Sequence, residues 1–187
     1  MVFSIISRLV NGVKGGVTSS LKGTADVASS IVGAVKNSTV STLKETGELV
    51  KQGVDVPASI VKGAFAGVAD IGGSVISAVK GIVSGTIQGF MEAGGNQEEA
   101  VRGSVGQVVH DAKELGVDVG QAAVAAVKGS VDAVQQAGGD TGSALKTSVI
   151  TALETAKDIG ESIYDSVKEA LEEGVEGAKD IIEEIKK

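Results

Sequence analysis

"QQAGGDTGSALKTSVITALETAKDIGES", residues 135–162, contains two glycine junctions that stand 22 residues apart. At the first, Gly138 is followed two residues later by Asp140; at the second, Gly160 is followed by Ser162. Glycine readily takes the left-handed conformation that ends a helix, and an Asp or Ser side chain accepts a free backbone N–H to start the next one. Between the junctions, Leu145, Val149, Leu153 and Ala156 recur at steps of three and four, the spacing of one helix face. The stretch reads as one helix bounded by a stop and a start.

Extended outward, the period covers most of the chain. Eight blocks of 22 residues beginning at Ile6 fill residues 6–181. The sixteenth position of each block is apolar: Leu21, Leu43, Phe65, Ile87, Val109, Val131, Leu153 and Val175. These form the expected packing stripe. The ninth position is basic in Lys14, Lys36, Lys80, Arg102, Lys146 and Lys168, and the twenty-first is acidic in every block except the one holding Gln136. Twenty-two is twice eleven, and eleven residues make three turns at about 3.67 residues per turn. Small residues flank the stripe, most clearly Gly81, Gly85 and Gly89, and at this spacing they allow close helix contact.

The block junctions choose between short helices and one or two long continuous ones. They read Gly53-Val-Asp55, Gly72-Gly-Ser74, Gly94-Gly-Asn96, Gly116-Val-Asp118, Gly138-Gly-Asp140 and Gly160-Glu-Ser162. The expectation is therefore an all-α chain of tandem 22-residue amphipathic repeats, with helices of about 18 residues and about 27 Å each. Residues 1–5 lead in, and 182–187 form a charged tail continuing the last helix.

Asp140-Thr-Gly-Ser143 matches the Asp-Thr-Gly-Ser/Thr tetrapeptide of aspartic proteases, but a catalytic Asp there follows apolar strand residues and needs a second such carboxylate. Here glycines precede it, and the same slot holds Asn96 or Ser74 elsewhere. Asp140 is read as a helix cap. His110 is the sole histidine and Tyr164 the sole tyrosine, and both are read as structural. "GGVTSS" and "GGDTGS" lack the Walker spacing of a phosphate loop. No catalytic, cofactor or metal residues are assigned, and the expected protein is not an enzyme.

Net charge is −7 and aromatic residues are 2%, a composition poorly suited to nucleic-acid binding. Cysteine is absent, which excludes disulfides and thiolate metal sites. The longest uncharged run, 81–91, is far short of the roughly 20 apolar residues that span a bilayer. The first residues lack the apolar core of a signal peptide, and localisation is not readable. Charge is asymmetric: residues 1–25 carry Arg8, Lys14 and Lys22 and no acid, whereas 158–187 carry ten acids against four lysines.

The eleven-residue period and Thr/Val/Gly-rich texture of "VTSSLKGTADVASSIVGAVK", residues 17–36, resemble synuclein-like and perilipin-like lipid-surface helices and group 3 late-embryogenesis-abundant proteins. That resemblance implies lipid association or stress protection. The chain departs from the lipid-surface group in its net acidity and single basic position per block, from the late-embryogenesis group in its much lower charge content, and from both in its glycine junctions. The first expectation is accordingly a structural, self-assembling helical repeat whose partner is itself. Second comes lipid- or membrane-surface binding through residues 1–25, and third a stress-protective role.

Overall fold

A computed structural model describes residues 2–21, 27–46, 55–70, 72 and 74–187. The described residues are helical, with no strand among them: α1 Val2–Leu21, α2 Val27–Thr46, α3 Val56–Asp70, α4 Val75–Glu92, α5 Gln97–Glu114, α6 Val119–Gln136, α7 Thr141–Ile159, α8 Glu161–Gly174 and α9 Ala178–Ile185. The longest, α1 and α2, have 20 residues. No described helix is long and apolar enough to cross a membrane.

Local chemistry accounts for the helix ends. Ser74, Asn96, Asp118 and Asp140 have extended backbones, and their side chains accept the N–H of Ser77, Glu99, Gln121 and Ser143. Asp55 does the same for the N–H of Ala58 at 3.0 Å. Gly94, Gly116 and Gly138 have φ of +91°, +68° and +74°. Behind each, two bonds run back into the preceding helix: Gly95 N–H to Phe90 and Gly94 N–H to Met91, Val117 to Ala112 and Gly116 to Lys113, Gly139 to Val134 and Gly138 to Gln135. This is the double bond of a Schellman stop, which satisfies carbonyls the helix leaves open. Gly72 also has positive φ, +70°. Gly53 lies outside the described residues.

The last junction differs from its sequence reading. Gly160 is nearly extended (φ +159°, ψ +157°) and is the single residue between α7 and α8. Ser162 is not a cap; α8 begins at Glu161, one residue earlier, without a side-chain cap bond. The second junction residue is Glu161 here, and it enters the next helix rather than closing a Schellman pair. A further break, with Gly177 at φ +83°, separates α8 from α9 inside the eighth block. Residues 182–185 belong to α9, the last described helix, which begins at Ala178.

Packing follows an alternating rule. Each of α1 to α7 lies against the helix two places on, giving an odd row and an even row, and successive helices touch across the rows. Glycines set the distance within a row. A Cβ on Gly63 would stand 2.6 Å from the Val10 carbonyl oxygen, and one on Gly67 would stand 2.9 Å from that of Lys14. One turn forward on α3 corresponds to one turn forward on α1, so the two helices run parallel. On α4 a Cβ at Gly85 would stand 2.7 Å from the Val32 carbonyl oxygen of α2, and one at Gly89 would stand 3.0 Å from that of Lys36. Between the rows a continuous apolar core runs from Leu9 to Ile182. Leu43, Phe65, Ile87, Val109, Leu153 and Val175 are buried in it. Val131 is only half-buried, and the side chain of Leu21 lies outside the described residues.

Candidate functional site

Three groups of polar residues stand out on this array. The first is a series of ion pairs joining neighbours in a row. Lys14 meets Asp70 and Lys36 meets Glu92, both at 2.8 Å. Lys80 pairs with Asp132, Arg102 reaches Glu154 at 3.7 Å, and Lys146 reaches Glu184 at 3.2 Å. The Lys36 ammonium, through its hydrogen bond and its charge, holds the Glu92 carboxyl below the usual carboxylate value. These pairs are solvent-exposed and add little to stability; their significance is registration.

Register changes along the even row. In α2 and α4 the basic residue meets an acid at the twenty-first block position. In α4 and α6 it meets Asp132, one turn earlier, and Gly129 faces Lys80 where Gly85 faced Val32. After that one-turn slip Lys80 finds its carboxylate at Asp132 rather than at position 136, and Arg102 likewise reaches Glu154, one turn before Asp158. Gly81, Ser84, Gln88 and Val32 line an open groove of about 510 Å³ at this change of register. Gln88 donates across it to Gln136 at 3.1 Å.

The second group is a two-point clasp at Asp140. The Gln97 side chain of α5 donates to the Asp140 carbonyl at 2.9 Å and accepts the Asp140 N–H at 3.0 Å. The Asp140 carboxylate accepts the Ser143 N–H at 3.0 Å. Its N–H, carbonyl and carboxylate are engaged in starting α7 and aligning it with α5, which is the geometry of a cap. Sequence reading missed Gln97, because its partner is 43 residues away.

The third group surrounds Asp111 on α5. It occupies the block position held by Gly67, Gly89 and Ala133, the slot that faces a neighbouring helix. Asp111 is 4% exposed, and one carboxylate oxygen, Oδ2, has no hydrogen-bond partner. Oδ1 accepts from Gln107 Nε2 at 2.7 Å. Burial pushes the carboxyl above the ordinary range, opposed by the Gln107 bond and the Lys62 ammonium. Asp111 and Glu114 line an open pocket of about 150 Å³ together with Lys62 and Phe65 of α3. His110 Nδ1 stands 3.7 Å from Glu114 Oε1 and 3.9 Å from Asp111 Oδ1.

His110 is thus accompanied by two acids that sequence reading left unassigned. The available signal was an acid in a slot given mostly to small residues, where Glu45 is the other acid. A nitrogen and two carboxylates converge there with an uncompensated buried oxygen, an arrangement able to take up a cation or a proton. Set against known proteins, the chain matches no family model and no curated sequence.

Proposed function

We propose that this chain is a non-enzymatic structural protein: a tandem array of 22-residue helical units that self-assembles as a filament, coat or scaffold. The supporting observation is the rule by which each helix takes its neighbour two places away. Stacked units of this kind bury a core that no unit can bury alone. On α5, Gly103 fills its slot against Asp55 and Pro57 of α3. Its counterpart on α1, Gly15, faces open space, as does Gly12. A second copy stacked there would continue the rows, bringing the exposed acids of α8 and α9 to Arg8 and the basic face of α1. Like the internal pairs, such contacts align rather than drive, since exposed charges are screened beyond about 10 Å at 0.1 M salt.

Light scattering after size exclusion, with negative-stain microscopy, tests this directly. The expected result is concentration-dependent assembly that weakens with salt and with Gly15→Glu, which adds an acid to the docking face. A compact monomer at every concentration would overturn self-assembly. Lipid-surface binding competes for the same residues. Leu9, Val13 and Val17, which would have to enter the lipid, are buried within the array. Binding would therefore require α1 to detach, and a rise in exposed α1 side chains on co-flotation with anionic vesicles would favour that reading instead.

A further inference from the structure

We propose that His110, Asp111 and Glu114 form a site for a divalent transition ion of the zinc class. Glu114 lies four residues after His110 and three after Asp111, so its carboxylate can reach either side chain from the same helix. One donor atom from each lies within 4.8 Å of the others. Donors about 2.0–2.2 Å from a tetrahedral ion are about 3.4 Å apart. The two separations from His110, 3.7 and 3.9 Å, therefore need to close by a few tenths of an ångström, and the two carboxylate donors lie within 4.8 Å of each other. His110 and Glu114 are exposed and can make that adjustment by side-chain rotation.

Asp111 is what distinguishes this cluster from an ordinary pair on a helix surface. A carboxylate in the interhelical slot gains nothing from packing there, and its Oδ2 is buried without a partner. A buried charge left uncompensated is costly. Lys62 acts on it only as a charge at a distance, from an exposed position on α3. A cation bound at the Oδ1 edge, which stands 3.9 Å from His110 Nδ1, would neutralise that buried charge. One imidazole with two carboxylates selects zinc-class ions over calcium or magnesium, which favour all-oxygen shells. Three protein donors would leave a coordination position for water or for a donor from outside this helix.

The sole histidine makes the test direct, because its imidazole gives one unambiguous set of proton resonances. The full chain, freed of metal by chelator and dialysed, is titrated with Zn²⁺ while those resonances and the heat of binding are recorded. One equivalent is expected to shift the imidazole signals and saturate the heat, whereas Ca²⁺ leaves the imidazole unmoved. His110→Ala and Glu114→Gln should each weaken Zn²⁺ binding more than about tenfold, since even a supporting partner of a ligand is worth that much. Asp111→Ala should weaken it similarly while retaining helicity by circular dichroism, because Gly67 and Gly89 fill the same slot elsewhere. Unmoved imidazole signals at one equivalent, or parent-like Zn²⁺ affinity in His110→Ala, would overturn the assignment.

Discussion

Gln97 and Asp140 are joined at two points: the Gln97 amide donates to the Asp140 carbonyl at 2.9 Å and its oxygen accepts the Asp140 N–H at 3.0 Å. One residue inside the start of α5 therefore holds the residue that starts α7. The clasp also explains a glycine, because a Cβ on Gly139 would run into the Gln97 side chain.

Gln97→Ala removes both bonds. Each hydrogen bond contributes about 0.5–1.5 kcal/mol net, and this clasp is exposed, so a loss of about 1 kcal/mol is expected. Urea melts of parent and variant measure it, and an unchanged midpoint would mean that α5 and α7 are aligned by packing alone.

At the α6–α7 junction, Gly138 has φ +74° and its Cβ direction faces open space. Gly138→Ala should thus destabilise through backbone conformation alone, by about 1 kcal/mol. Asp140→Ala removes the cap and should cost about 0.5–2 kcal/mol. A stabilised Gly138→Ala protein would mean that one helix runs through the junction.

Glycines inside helices should divide by their surroundings. At Gly63 a Cβ would press on the Val10 backbone, so Gly63→Ala should force α1 away from α3 and cost about 1–3 kcal/mol. Gly12 meets nothing, so Gly12→Ala should stabilise by about 0.5–1 kcal/mol through helix propensity. Opposite signs in parallel denaturation curves are the expected outcome.

The raised Asp111 carboxyl gives a pH dependence of definite sign. The folded state keeps this proton to higher pH than the unfolded chain, whose Asp titrates near about 3.9. The stability it contributes is present at low pH and is lost as pH rises through the raised folded value. With chelator present, Asp111→Asn should be more stable than the parent at neutral pH, and that advantage should shrink as pH falls. A constant difference across pH would mean that Asp111 is not the titrating group.

Much of the local structure could be read from residue order because it depends on contacts within one turn. The cap bonds of Asn96, Asp118 and Asp140 span three residues, and the bonds at Gly116 and Gly138 close within five. Their chemistry is complete before any helix meets another. Ser162 shows where such reading fails: with Glu161 in the second junction position, the helix starts before the cap candidate. Gly177 was equally unmarked, since no Asp, Asn or Ser starts the helix that follows it.

Which helices become neighbours was decided by the tertiary structure. In residue order Gln136 stands only as an exception to the acidic register. The one-turn slip between α4 and α6 assigns Asp132 to Lys80. Likewise Asp111, His110 and Glu114 look like ordinary polar residues of an amphipathic helix until α3 covers one of them. Burial of Asp111 depends on where a second helix lies, and that is settled by side-chain volumes fitting together across the chain. A periodic sequence specifies one helix face at a time; the partner and the register come from close packing between faces.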